Sequence, residues 1–306
     1  MAPKGRLINE IELSARDVLE KIGRHIKDEI HKKSNHTNKL EGTLSNAQFL
    51  DGLHKAAGGD IKYGPQDSCS LDHLFHTNIN TGYPEGRKPC YGREKNRFGE
   101  NAEAYCNSDK IRGNENNSKG GACAPPRRRH ICDQNLEYLD NNNTNTTHDL
   151  LGNVLVTAKY EGNFILDNHP YSGTSDVCTI FARTFADIGD IVRGKDMFRS
   201  NEKIENGLRK LFKKIHNDLS RSKINDYDRD GPEYYKLRED WWKANRDQVW
   251  RALTCGAGEY NTYFTYSNEN TKLFSNFKCG HGDKDVPTNL DYVPQFLRWF
   301  EEWAED

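Results

Sequence analysis

Apolar side chains recur at intervals of three and four along six stretches of this chain, and each stretch predicts a helix. The first carries Ile8, Ile11, Ala15, Val18, Leu19, Ile22, Ile26 and Ile30. Asn9 or Ser14 is its expected cap, and Lys27, His31, Lys32 and Lys33 lie at the end that favours cations. A free helix with this stripe would expose a large apolar patch, so it is expected to dock on the rest of the protein. Docking would bring Lys27, Lys32 and Lys33 near the basic loop around Cys90. Asp149–Ile165 carries Leu150, Leu151, Val154, Leu155 and Ala158, and Ser175–Val192 carries Val177, Phe181, Phe185 and Ile188 with Ser175 as cap. Glu202–Leu219 carries Ile204, Leu208, Leu211, Phe212, Ile215 and Leu219. Pro232–Leu253 opens on a proline at a first-turn position and carries Tyr235, Trp242, Val249 and Leu253. A last helix begins near Pro294 and presents Phe296, Leu297, Phe300 and Trp303. The expected fold is mainly α, with a helical bundle at its centre.

Between these stretches the chain is polar. Residues 34–62 read as loop and short turns, broken at Gly58-Gly59. From Cys69 to Cys132 there are five cysteines among many Gly, Asn and Pro, a segment with too little apolar surface to fold without staples. Asn141 to Thr147 is a polar run expected to be a mobile loop. No internal repeat is visible, and no strand pairing beyond short loop hairpins.

Composition sharpens this picture. Only 34% of the 306 residues are hydrophobic and 29% are charged, with a mean hydropathy of −0.95. The 5 Trp, 13 Phe and 14 Tyr must therefore supply much of the buried area. Eight cysteines, an even number, fit an oxidising compartment. No stretch reaches the roughly 18 apolar residues that span a bilayer, and Met1 to Arg6 lead into no apolar signal core. Asn35, Asn116, Asn142 and Asn145 sit in glycosylation sequons, a pattern that arises by chance in Asn-rich sequence.

Charge is unevenly spread around a net −2. Glu85–Arg129 holds 11 Lys/Arg against 6 Asp/Glu, and Arg193–Lys223 holds 10 against 4, whereas Asp283–Asp306 holds 2 against 7. Arg87, Lys88, Arg93, Lys95 and Arg97 surround Cys90 in a glycine-rich loop with no helical reason to be basic. Loop cations held by disulfides suit a polyanion such as a sulfated glycosaminoglycan. A pI of about 6.6 argues against nucleic acid. Lys203, Lys210, Lys214 and Arg221 form a second stripe opposite an apolar helix face, which a solvated surface also explains.

Other chemistries find less support. Asp226-Tyr227-Asp228-Arg229-Asp230-Gly231 imitates the first half of a calcium loop, but position 12 is Leu237 where a Glu belongs, and capping of the next helix explains the carboxylates. Cys69, His73 and His76 lack a fourth zinc ligand. Nothing marks a cysteine nucleophile, and Gly256-Ala257-Gly258 is too short for a phosphate loop. Trp241, Trp242, Trp250, Trp299 and Trp303 could stack on sugars, but aromatics at helical spacing belong to the core. No enzyme, cofactor or metal is expected.

One block stands apart. Gly121-Ala122-Cys123-Ala124-Pro125-Pro126-Arg127-Arg128-Arg129-His130-Ile131-Cys132-Asp133 sets a proline turn and an arginine triplet between two cysteines. The triplet is either held as concentrated positive charge or paired with Asp or Glu inside the fold. With Gln134-Asn135-Leu136-Glu137 the block resembles the signature of the Duffy-binding-like domains of malaria parasites. Phe181–Gly194, Asp240-Trp241-Trp242-Lys243-Ala244-Asn245-Arg246 through Trp250 to Cys255, and Val293–Asp306 match three further motifs of that family in order. Together they resemble the α class, the head of the erythrocyte membrane protein one (PfEMP-type) adhesins, from about Tyr63 onward. Earlier residues resemble the N-terminal segment before such heads.

The resemblance implies an N-terminal segment with a docking helix at 1–62, a Cys-rich first subdomain at 63–147 and a helical-bundle second subdomain at 148–306. The third, cysteine-rich helical subdomain is missing, so the chain is expected to be a fragment. The pairings implied are Cys90–Cys132, Cys106–Cys123 and Cys178–Cys255, with Cys69 and Cys279 left over to pair with each other or with the missing third subdomain. The implied location is the infected red-cell surface, reached without a conventional signal and anchored beyond this chain. The implied role is adhesion to erythrocyte or endothelial receptors: heparan sulfate or heparin, complement receptor one or blood-group oligosaccharide. Cys255 and Cys279, between the second and last motifs, resemble the subset linked to rosetting. Lys32, Lys33, Arg87, Lys88, Arg93, Lys95 and Arg97 are the expected glycan contacts. The competing expectation is a structural spacer, or a binder of a protein or blood-group receptor without a glycosaminoglycan site.

Overall fold

A computed structural model describes residues 13–31, 37–50, 61–79, 84–93, 96–99, 102–115, 121–199 and 202–305. Helix α1 is Ala15–His31, α2 Pro126–Arg129, α3 Gln134–Glu137, α4 Thr147–Asn168 and α5 Val177–Arg193. Then come α6 Glu202–Arg221, α7 Tyr235–Leu253, the short kinked turn α8 Phe277–Gly280, and α9 Gln295–Glu305. Two antiparallel hairpins are the only sheets among the described residues. Strand β1 (Gln48–Leu50) pairs with β2 (Ile61–Tyr63), and β3 (Phe264–Tyr266) with β4 (Lys272–Phe274), Phe264 opposite Phe274.

The bundle is built around α5, buried along almost its whole length. Its neighbour α4 packs most extensively on α7. Gly162 makes that approach possible, because a Cβ there would lie 2.0 Å from the Leu253 carbonyl oxygen. Trp241, Trp242, Trp250 and Trp299 are fully buried, as aromatics at helical spacing should be, and Phe185 packs against Trp242 and Trp250 at 5.0 and 5.4 Å. One apolar core runs from Leu19 and Leu40 through the bundle to Leu290 and Val293, so all three sequence segments contribute to it.

Local starts and stops follow side-chain chemistry. Ser14 caps α1, its hydroxyl accepting from the Asp17 amide while the Asp17 carboxylate accepts from the Ser14 amide. Thr146 and Asp149 make the same box for α4. The 141–147 run, expected to be mobile, is a hydrogen-bonded turn. Thr144 donates to the Asp140 carbonyl, and Lys214 donates to the Asn141 and Thr144 carbonyls and to Asn145. Ser175 does not cap α5; its hydroxyl accepts from the Thr262 amide. Asp230 accepts from the Lys236 and Leu237 amides at 2.8 Å, so the calcium-like loop caps α7.

Helix α1 docks, but on a mixed face: Leu19 of the expected stripe enters the core and Ile26 and Ile30 are half-buried, with polar side chains buried beside them. Glu20 is fully buried, accepting from the Tyr263 hydroxyl (2.6 Å), the Thr288 hydroxyl (2.5 Å) and the Asn289 amide (2.8 Å). Burial pushes its carboxyl up, and those three hydrogen bonds oppose the shift. Arg16 and Arg24 donate to the Phe264 and Tyr266 carbonyls. Gly23 allows the contact, since a Cβ there would meet the Asn289 oxygen at 2.1 Å. Ala15, Val18 and Ile22 of the expected stripe face outward. Lys27 lies by Arg246, Asp285 and Asp291 rather than by the Cys90 loop. Ile8, Asn9, Ile11, Lys32 and Lys33 lie outside the described residues.

Four disulfides close the fold. Cys90–Cys132 and Cys106–Cys123 are formed. The third implied pair is not: Cys178 bonds Cys279, and Cys255 bonds Cys69. The reason is positional. Cys255, just past α7, meets the Asp67–Leu71 turn, while the first turn of α5 is reached by the chain leaving β4. The zinc alternative also falls, because Cys69 is bonded to Cys255 and His76 accepts the Asp72 amide through Nδ1.

Candidate functional site

Three expected glycan contacts turn into the interior. Arg97 is buried, its Nη2 donating to both carboxylate oxygens of Glu161 at 2.7 and 2.8 Å and its Nη1 to the His130 carbonyl. Arg93 pairs with Asp133 and Glu137 and donates to the Ile131 carbonyl. Arg87 is buried and donates to the Leu74 carbonyl at 3.0 Å. Arg93 and Arg97 fix the segment around Cys90 onto the Cys132 turn, α3 and α4, and Arg87 fixes it onto the Leu74–Thr77 turn. Lys88 is exposed; Lys95, with Lys32 and Lys33, lies outside the described residues.

The arginine triplet divides. Arg127 pairs with Glu302 at 2.8 Å and with Asp187 at 2.7 Å, and Arg128 with Asp196. Arg129 stays half-buried, its guanidinium 5.5 Å from the Tyr105 ring. Asp187 also meets Arg298 at 2.8 Å, and Arg298 reaches Asp190 at 2.5 Å. Gln295 donates to both Asp187 and Asp196. Asp291 receives Arg246 on both oxygens and the Trp242 indole at 2.8 Å. Burial pushes the Asp187 carboxyl up, but Arg127 and Arg298 outweigh it and hold it at about 2. The four sequence motifs thus converge on one buried ionic lattice tying α2, α5, α7 and α9 together. A hint lay in the sequence, since Asp187, Asp190, Glu301 and Glu302 stand in the same motifs as the arginines.

What remains outside is mostly lysine and aromatic. On α6, six Lys/Arg stand against three Asp/Glu, and Lys203, Lys210, Lys213 and Arg221 are exposed. Lys214, read with that stripe, is instead the clip on the 141–145 turn. Around the second hairpin, Tyr260, Leu273, Phe274 and Phe277 are exposed, with Tyr260 and Phe277 edge to face at 5.9 Å. Trp303 and Phe300 are exposed on α9, so Trp303 departs from the expected core role. Among the described residues no cluster of His, Cys, Asp and Glu could hold a metal, and no helix is long and apolar enough to cross a membrane.

Comparison with known proteins places this arrangement. The Duffy binding domain family matches residues 121–298, and the N-terminal segments of PfEMP1 match residues 14–48. The chain is similar to the NTS-DBL1-alpha and CIDR-gamma double domain of PfEMP1 from the Plasmodium falciparum varO strain, with 60% identity and a TM-score of 0.90 over 96% of this chain and 43% of that one. A PfEMP1 DBLb domain bound to human ICAM-1 is similar at 27% identity, with a TM-score of 0.71 over 98% of this chain and 63% of the other. The Duffy receptor beta form of Plasmodium knowlesi is 24% identical over 98% of this chain, which spans a quarter of that relative's length. The matched residues include the proline turn, the arginine pair and the lattice carboxylates Asp187, Asp190 and Asp291. The chain belongs to the Duffy binding domain family, as a mainly helical, disulfide-closed member resembling the α-class domain with its N-terminal segment at the head of a PfEMP1 adhesin.

Proposed function

We propose that this chain is an adhesion module of the infected red-cell surface that binds host red-cell or endothelial receptors, with sulfated glycan among its ligands. The similarity to the PfEMP1 head over 96% of the chain carries the adhesion reading. The exposed cations of α6, namely Lys203, Lys210, Lys213 and Arg221, support the glycan reading, with Lys88 from the cysteine-rich segment. Lys32, Lys33 and Lys95 stay among the proposed contacts on sequence grounds. Arg87, Arg93 and Arg97 leave the set, because their guanidiniums already serve carbonyls and carboxylates of the fold. Exposed cation pairs contribute about 0.2–1 kcal/mol each, so several must act together and binding must weaken with salt.

A heparin column tests this. Lys203→Gln, Lys210→Gln and Lys213→Gln combined should elute at distinctly lower salt than wild type, with the melting temperature within about a degree or two of it. If wild type is not retained, the glycan reading falls and the protein-receptor reading takes its place. The exposed aromatics around the second hairpin favour that second reading, since contiguous apolar patches mark protein contacts.

A further inference from the structure

Arg128 has one guanidinium nitrogen without a partner. The side chain is 1% exposed, and its Nε and Nη2 grip Asp196, but Nη1 meets no acceptor. A buried N–H with no acceptor is expensive, and such groups call for an explanation. Arg128 lines a cavity of about 150 Å³, many times what one water needs. The cavity lies between the end of α5, the Ile111–Phe198 bridge and the first turns of α6.

Three more arginines line it, Arg112, Arg199 and Arg209; Arg112 also donates to the Gly194 carbonyl at 3.2 Å, and Arg209 pairs with Glu233 at 3.0 Å. Arg209 adds a second buried nitrogen without a partner, Nε. Carboxylates are present too, but two are engaged. Asp196 is held by Arg128, and Glu205 takes both prongs of Arg238 at 2.7 and 2.9 Å. Burial pushes the Glu205 carboxyl up, but Arg238, Arg112 and Arg209 outweigh it and hold it below the usual range. Arg199 reaches Glu115 at 3.2 Å across an exposed rim, and Glu202 is exposed in the first turn of α6. The amides of that first turn add a positive helix end.

We propose that this cavity is a binding site for a tetrahedral oxyanion, a sulfate or phosphate group. The anion accepts from Arg112 and Arg199 at the rim, while the buried Arg128 Nη1 supplies positive charge beneath the floor. It needs no glycan reading: none of the proposed heparin contacts, on α6 or elsewhere, lines this cavity. Chemistry alone does not separate a sulfate on a sugar from a free anion, so the test carries both.

The whole 306-residue chain is titrated calorimetrically with sodium sulfate, sodium phosphate and a sulfated heparin disaccharide, at ionic strength held constant with sodium chloride. Saturable one-site binding is expected. Arg112→Gln with Arg199→Gln should weaken it about five- to tenfold, in line with the loss of two partly exposed charged contacts. Glu202→Gln should strengthen it by removing the uncommitted carboxylate at the rim. These rim changes leave the Arg128–Asp196 pair intact, so unchanged melting in anion-free buffer separates lost binding from lost fold. Tighter binding of the disaccharide than of free sulfate, also lost in the double variant, assigns the site to a sugar sulfate; the reverse order assigns it to a free anion. No saturable binding, or equal affinity in wild type and the double variant, overturns the site. Heparin retention that survives Arg112→Gln/Arg199→Gln leaves the adhesion reading standing by itself.

Discussion

Arginine and lysine divide between two regions of this molecule. In the lattice of α2, α5, α7 and α9 the cations are Arg127, Arg128, Arg193, Arg246 and Arg298, buried and mostly held by two or more acceptors. On the outer face of α6 they are largely lysines in solvent. The difference follows from side-chain chemistry. A guanidinium is planar, weakly hydrated and permanently charged, so it can be desolvated against paired carboxylate oxygens; an ammonium is a strongly hydrated point charge that resists burial. Positive charge in sequence therefore carries two meanings here. Within the motifs it organises the interior, and on α6 most of it faces solvent.

Buried ion pairs are a weak source of stability against an apolar core but a strong source of instability when half removed. The comparison should thus break hardest at Asp187. Asp187→Ala leaves Arg127 with Glu302 and Arg298 with Asp190 as their remaining carboxylates, and this half-removal of a buried network should cost about 3–5 kcal/mol in urea unfolding. A loss below about 1 kcal/mol would mean that the lattice does not act as a unit. Lowering pH should reach the same pairs gently. The Asp187 carboxyl is held near 2, below its unfolded value, so its contribution is complete above about pH 4 and fades as pH falls towards 2.

The Cys69–Cys255 bond ties the Asp67–Leu71 turn to the end of α7 across 186 positions. Cys69→Ser with Cys255→Ser should lower stability by about 2–5 kcal/mol, because long closed loops restrict the unfolded chain most. Peptide mapping should recover Cys178 with Cys279; recovery with Cys255 would restore the pairing that the family resemblance implies.

A smaller effect sits where the lattice meets solvent. Burial, with Arg183 adding to it, lowers His169 to about 4, so the unfolded chain takes up that proton first and stability falls as pH drops from about 6.5 towards 4. Burial raises Glu301 to about 7 despite Arg183, so the folded chain keeps a proton that the unfolded chain releases, and stability falls as pH rises from about 4.5 to 7. The two oppose each other between pH 5 and 7. His169→Gln removes the first, and unfolding free energy should then rise by about 2 kcal/mol from pH 7 to pH 5. A flat profile in the variant would show that Glu301 titrates normally.

The smallest stability effect belongs to the surface. Lys210→Gln with Lys213→Gln should change unfolding free energy by less than about 0.5 kcal/mol while altering heparin retention, the opposite of Asp187→Ala. A large destabilisation would place these lysines in the scaffold and erase the distinction.

Helical periodicity determined the existence and type of the long helices, because a buried stripe at 3.6-residue spacing has few other solutions. Ser14 and Thr146 ended up as caps beside Asp17 and Asp149, a local chemistry legible in four residues. The pairing of Cys90 with Cys132 and Cys106 with Cys123 followed from a family pattern, while Cys178 and Cys255 went elsewhere, since the partner of a cysteine depends on which distant loop arrives beside it. Which face of α1 docks was also decided in three dimensions: Glu20 found three donors on segments more than 240 positions away, so Leu19 is buried beside it while Val18 and Ile22 of the same stripe face outward. The basic loop shows the same limit. Arg87, Arg93 and Arg97 read as surface charge because their acceptors, including Glu137 and Glu161, are 44 and 64 positions downstream of Arg93 and Arg97. A charge declares its sign in sequence, but only the fold decides whether a carboxylate or water answers it.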